Sequence, residues 1–264
     1  MRRFVKISWI FEYWNFFADL RSVLLFRRLR TNPASMHGEV ELRSRRKPNA
    51  ALWCRAGTTD ASVFWDVFFC KYHLPMTPLP ECAVILDLGS NVGFTSFDYA
   101  TLYPTCRIIA VEMDDENVAL SKRNLEMVSE NCTVKNAAIW FENREITYAK
   151  GEEEWAYKAE PDLAQTKEKL HTVRALTIDK IMEDFGIDWV DFVKMDIEGA
   201  EDKVIHQGAA WLKKIGSLNM EIHAPAHYEQ FEAILSAEGF SCQKSVLHPN
   251  ALIATRSHSG VPTQ

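Results

Sequence analysis

The sequence predicts an α/β protein, a three-layer, doubly wound and mostly parallel sheet with one antiparallel edge strand. Three observations predict it. From residue 83 onward short apolar runs alternate with stretches of helical period, the pattern of successive strand–helix–strand units. The run VILDL at 84–88 passes into a loop with glycines four apart, the form of a strand that delivers a ligand to the mouth of a helix. The last two apolar runs, near 240–246 and 250–255, have no helix between them, so one edge strand is expected to pair antiparallel.

Taken in order, the chain opens on a helical extension. On a helical wheel Ser8, Glu12, Asn15, Asp19 and Ser22 form one narrow polar stripe among aromatic and aliphatic residues, with arginines at both ends. Polar interruptions at Glu12, Asn15 and Asp19 argue against a signal peptide or a clean transmembrane span. The helix is expected to dock on its own domain or a second subunit, with peripheral contact of residues 1–30 to an anionic membrane as the alternative. Residues 31–50, polar and basic with two prolines, predict a linker. The domain division is therefore 1–50 for extension and linker and 51–264 for the globular body.

Within the body, strands are predicted near 83–88, 107–112, 132–139, 190–196, 216–222, 240–246 and 250–255. Helices are predicted near 60–70, 93–102, 115–128, 198–207 and 226–238. The charged stretch 150–170 predicts a surface loop or lid.

Composition narrows the function. With 264 residues, 47% of them hydrophobic, one sizeable core is expected. Residues 1–50 hold eleven Lys/Arg against four Asp/Glu, +7 in a chain of net charge −6, so the other 214 residues carry −13. An acidic body of that kind argues against a nucleic-acid partner. Six cysteines without a C-x-x-C pair predict reduced residues in a reducing, cytoplasmic compartment.

The glycine loop admits a dinucleotide or S-adenosylmethionine. A dinucleotide loop asks for G-x-G-x-x-G, but between Gly89 and Gly93 this chain has Ser90 and Asn91, and Asn91 stands where the middle glycine belongs. Asp87 would repel a pyrophosphate and suit a ligand with an ammonium and a sulfonium. Glu112, ending the second strand, is placed to accept both ribose hydroxyls, with Met113 against the adenine. Asn136 and Ala137 on the third strand come to the same rim. S-adenosylmethionine is the cofactor these residues favour.

Together RAGTTDASVFWDVF (55–68), ILDLGSNVGFTS (85–96) and VKMDIEGAEDKVIHQGA (193–209), supported by TIDKI (177–181) and MEIH (220–223), resemble the FkbM-type methyltransferases, a branch of the class I S-adenosylmethionine-dependent, Rossmann-like fold. The resemblance covers about residues 54–223 and departs from the family at Ala56, where a proline is common. It implies a seven-stranded sheet binding the cofactor across its carboxyl ends. It also implies methyl transfer to a hydroxyl oxygen of a sugar, secondary metabolite or other small molecule.

Such a transfer needs a base beside the acceptor oxygen. Strand alternation sends Lys194 and Asp196 to one face, with Asp196 at the carboxyl end, so Asp196 is the first candidate. Glu198 follows it, His223 ends the neighbouring strand as a neutral imidazole able to take a proton, and Lys194 is a base only if desolvated. Asp196 could instead cap the following helix. Thr59 and Asp60, in the Gly57-Thr58-Thr59-Asp60 turn, are expected to close over the methionine end of the cofactor or to cap the next helix. His223 and His227 in HAPAH flank Pro225, which starts a helix between them, so the two rings need not share a face; no metal site is assigned, and a divalent ion held with the nearby carboxylates to activate the hydroxyl is the alternative. An NAD-dependent oxidoreductase and a catalytically silent, methyltransferase-fold partner module remain the alternatives, and a homo-oligomer is compatible with either.

Overall fold

The structure, a computed structural model, describes residues 8–128, 130–150, 157–159, 169–207 and 209–256. Two N-terminal helices, α1 (Ser8–Phe16) and α2 (Leu20–Thr31), precede a hairpin of β1 (Glu39–Arg43) and β2 (Ala51–Arg55). The expected single helix breaks at 17–19. Asp19 leaves the helical conformation and its carboxylate accepts the Ser22 N–H at 2.7 Å, while Ala18 N–H donates to Arg43 C=O. Two members of the polar stripe are thus spent on capping and on joining β1, since Ser22 Oγ accepts the Arg43 N–H. The expected linker likewise contains a strand: EVELR alternates with period two and buries Val40 and Leu42 against Leu52 and Cys54.

After α3 (Asp60–Trp65), which continues as a π-turn to Cys70, come β3 (Val84–Leu88), α4 (Phe94–Leu102), β4 (Arg107–Glu112), α5 (Asp115–Leu125) and β5 (Cys132–Asn136). Residues 138–176 supply β6 (Ala138–Ile139), β7 (Arg144–Lys150), β8 (Tyr157–Ala159) and β9 (Leu170–Leu176). These four make a small separate sheet in the order β6-β9-β7-β8. Apart from β8 and the residues at either end, the stretch expected as a lid, 150–170, lies outside the described residues. The chain then runs through α6 (Ile178–Asp184), β10 (Val190–Met195), α7 (Glu201–Gln207), β11 (Ile215–Glu221), α8 (Tyr228–Ala237), β12 (Phe240–Lys244) and β13 (Ala251–Arg256).

The main sheet has seven strands in the order β12-β13-β11-β10-β3-β4-β5. The strands from β5 to β11 pair parallel. At the other end β13 pairs antiparallel with both β11 and the outermost β12, so the reversed strand lies one place in from the edge. Alternating side chains serve two cores. Ile85, Ile108 and Phe192 pack with the N-terminal helices, the hairpin, α3, α4 and α5. Leu86, Ile109, Val193 and Leu218 pack with α6, α7 and α8 on the opposite face. Residues from Tyr13 through Ala50 contribute to the former core: Phe17 and Phe26 are fully buried against Phe64. Among the described residues no helix is long and apolar enough to cross a membrane.

Candidate active site

From β3 the chain moves through β4 to β5 on one side and returns through β10 to β11 on the other. A crevice therefore opens at the carboxyl ends of β3 and β10. The loop after β3 fills one wall. Gly89, at φ +74°, lies so close to β10 that a Cβ there would sit 1.7 Å from the Asp196 carbonyl oxygen. Gly93, at φ +83°, faces Ser121 of α5, whose Oγ would be 2.5 Å from a Cβ. Both glycines thus serve close backbone packing.

Between them, Gly89 and Ser90 donate their N–H groups to Val111 C=O, and Asn91 donates to Glu112 Oε2 at 2.9 Å. The other Glu112 oxygen accepts the Asp114 N–H at 2.8 Å. Burial pushes the Glu112 carboxyl up to about 7 against the pull of these donors. Asn117 supplies a third donor, so one acceptor site of the carboxylate stays open to a ligand hydroxyl. Alongside, Asn136 Nδ2 donates to Met113 C=O and Ala137 N–H to Glu112 C=O, so the residues expected around ribose and adenine form one rim. Ser90 Oγ and Asn91 Oδ1 are buried and make no hydrogen bond within the protein, which fits a polar ligand at this loop.

Two expected contacts turn inward instead. Asp87 is fully buried, its Oδ2 accepting the hydroxyls of Thr95 and Ser96 in the first turn of α4. Through Oδ2 it anchors the loop from behind, while Oδ1 is buried with no hydrogen bond, 3.6 Å from Lys194 Nζ. Asp60 is also buried and accepts from Arg55 Nε and a terminal guanidinium nitrogen at 3.0 and 2.8 Å. That guanidinium reaches Asn117 at 2.9 Å, and Asn117 hydrogen-bonds to Glu112. The RAGTTD segment therefore braces Glu112 from outside the crevice. Thr59 holds the N-cap position of α3 without a side-chain bond, and it is Thr58 Oγ1 that accepts the Asp60 N–H.

The other wall carries a dense ionic cluster. Lys194 lies opposite Asp87 in the parallel register, with Nζ donating to Gly89 C=O at 2.8 Å and standing 3.3 Å from Asp196 Oδ2 and 3.6 Å from Asp87 Oδ1. Burial pulls its ammonium down, but Asp196 and Asp87 outweigh that and hold it above the ordinary lysine range. It is a fixed cation and no base. His223 Nε2 lies 3.2 Å from Glu198, 3.7 Å from Asp196 and 4.0 Å from Glu221, while Nδ1 is 2.9 Å from Glu201. Burial lowers the imidazole, yet Glu198 and Glu201 push it up to about 11. These two carboxylates thus favour the protonated imidazole over the neutral base read from the sequence.

Burial and neighbouring carboxylates raise Glu198, and they carry Glu221 to about 7. Glu198 reaches the cluster from a left-handed backbone, φ +52°, beside Gly199. Asp196, Glu198 and His223 are thus brought together as expected. Sequence reasoning missed Glu221 as an acid–base group, Glu201 as the partner of His223, and Tyr72. The backbone oxygen of Tyr72 accepts from Asn219 Nδ2 and its ring packs on His248. Strand alternation in NMEIH already paired Glu221 with His223; nothing local marks Tyr72. His227 faces Asp202 at 3.3 Å, apart from this cluster.

The family model described as "Methyltransferase FkbM domain" matches residues 87–242. No curated protein matches the chain. Among solved structures, a precorrin-6y C5,15-methyltransferase from Geobacter metallireducens is 15% identical, with a TM-score of 0.43 over 75% of this chain and 90% of that one. Aeropyrum pernix fibrillarin with natively bound S-adenosyl-L-methionine is 14% identical, with a TM-score of 0.40 over 70% of each chain. The N-terminal domain of human METTL16 with SAH is 13% identical, with a TM-score of 0.40 over 75% and 69%.

Proposed function

The chain belongs to the methyltransferase FkbM domain family, and from that premise we propose that it moves the methyl group of S-adenosylmethionine to a hydroxyl oxygen of a small molecule or saccharide. The observation that carries this reading is the contact of the two walls. The loop bearing the orphaned Ser90 and Asn91 oxygens touches the backbone of Asp196, so a ligand held on the loop presents its reactive end to the ionic cluster. Glu112 would accept a ribose hydroxyl, Asn91 and Ser90 would offer side-chain partners, and Met113 and Ala137 would give the adenine an apolar wall.

When bound, the cofactor supplies a methyl on a positive sulfur; the C–S bond breaks as the C–O bond forms, leaving a neutral thioether. This chain's part is to hold the acceptor oxygen in line and to take its proton. Because the surrounding acids favour the protonated forms of Lys194 and His223, a carboxylate is the group to take the proton. Glu221 and Asp196, both beside His223 at the opening, are the carboxylates placed to accept it. Lys194 keeps the loop and Asp196 at fixed separation through Gly89 C=O.

The test is transfer of a labelled methyl group to a panel of sugars and hydroxylated metabolites, compared with amine and nucleic-acid acceptors. Label on a hydroxylated acceptor, lost in Glu221→Gln, is the expected result. Label only on amines or nucleic acid would sink the oxygen assignment.

A further inference from the structure

The acceptor end of the crevice holds more negative charge than its own cations answer. Asp87, Asp196, Glu198, Glu201 and Glu221 surround Lys194 and His223. The donors divide between two sides. Lys194 answers Asp87 and Asp196 Oδ2 on the inner side. On the outer side, one ligand atom each from His223, Asp196 and Glu221 lies within 4.8 Å of the others, and Glu198 Oε2 is 3.2 Å from His223 Nε2.

The imidazole is held from behind. Glu201, nearly wholly buried, accepts the N–H groups of Ile197 and Gly199 and binds His223 Nδ1, so Nε2 can only point at the three outer carboxylates. A buried carboxylate on the far nitrogen is how proteins orient a metal-ligating histidine.

The geometry points to a divalent-cation site made by His223 Nε2, Asp196 and Glu221, with Glu198 as a fourth donor. One imidazole nitrogen among carboxylate oxygens suits Mn²⁺ or Mg²⁺; no thiolate is present to favour a softer ion. Its role rests on the proposed transfer to oxygen. A ring of carboxylates alone opposes the negative charge that grows on a hydroxyl losing its proton, and a divalent ion reverses that field. The site lies beside the loop on the acceptor side, so cofactor and ion do not compete for one place.

Titration of the full chain with Mn²⁺ alone, followed by electron paramagnetic resonance, tests the site. One ion per chain is expected, with modulation from a single imidazole nitrogen, and Asp196→Asn and Glu221→Gln should each weaken binding at least tenfold. Glu183→Gln, exposed on α6, should leave it unchanged. Absence of stoichiometric binding, or of the nitrogen signal, overturns the site even if a variant fails to fold. Thermal stabilisation by S-adenosylmethionine, read on the same samples, separates the two readings. Stabilisation without Mn²⁺ binding removes the metal site and leaves the methyltransferase; Mn²⁺ binding without stabilisation does the reverse.

Discussion

At Glu112 two backbone N–H groups and the Asn117 side chain take three acceptor sites of the carboxylate, which leaves one for a hydroxyl of the ribose diol. Glu112→Gln turns one acceptor into a donor, and the affinity for S-adenosylhomocysteine should fall by about 10- to 100-fold, as expected for a hydrogen bond to a charged group. Calorimetric titration reads this directly. Because the carboxyl titrates near 7 in the free protein, affinity should also weaken as pH falls below 7, where a proton must leave before the diol can bind. A flat profile from pH 5.5 to 8 would remove Glu112 from the ribose site. Gly89→Ala tests the other wall. A methyl 1.7 Å from a carbonyl oxygen, on a backbone at φ +74°, should cost about 3 kcal/mol or more in urea unfolding. At this scale the sequence showed which residues meet but not which way they point. Asp87 and Asp60 are acids at the right positions, yet Asp60 and one Asp87 oxygen turn inward because Arg55, Thr95 and Ser96, five, eight and nine residues away, offer them buried partners.

The N-terminal helices and the hairpin behave as part of the body. Phe26 of α2 packs on Tyr13, Phe17 and Phe64, with no exposed surface, whereas Phe11 of α1 is 71% exposed. Phe26→Ala should therefore cost about 3–5 kcal/mol of the global unfolding free energy. Phe11→Ser should change it by about 0.5 kcal/mol or less. Equal, small effects in chemical denaturation would mean that these helices fold apart from the sheet. The main-sheet strands were legible because a buried parallel strand reads as a continuous apolar run. β1, β7 and β9 were not, since EVELR, REITYAK and LHTVRAL carry their signal only as alternation within charged sequence. The break between α1 and α2 was hidden because Asp19 fits a helical stripe and an N-cap equally well.

For the whole molecule, the buried groups set how stability follows pH. Glu112 and Glu221 are raised to about 7 and His223 to about 11, so the folded state binds more protons than the unfolded chain. The carboxyl contribution is complete below the unfolded value near 4.5 and is lost as pH rises through 7. The histidine contribution, complete below about 6.5, is lost on the way to 11. The melting temperature of the free, metal-stripped protein should therefore fall steadily from pH 5.5 to 9, and a maximum near pH 8 would contradict these environments. The doubly wound plan was visible at this scale from the order of the runs, while the placing of β13 inside the edge depends on tertiary pairing that no local pattern encodes.

The central claim is that the loop after β3 and the acid ending β4 bind S-adenosylmethionine. Thermal melts with S-adenosylmethionine, S-adenosylhomocysteine and NAD, each at about 100 times a micromolar dissociation constant, test it most directly. Specific binding at that excess adds about 2.7 kcal/mol, several degrees for a chain of this size. Shifts with the two sulfur ligands, none with NAD, and both shifts reduced to about half or less in Glu112→Gln are the predicted result. A shift with NAD alone, or with none of the three, would contradict it.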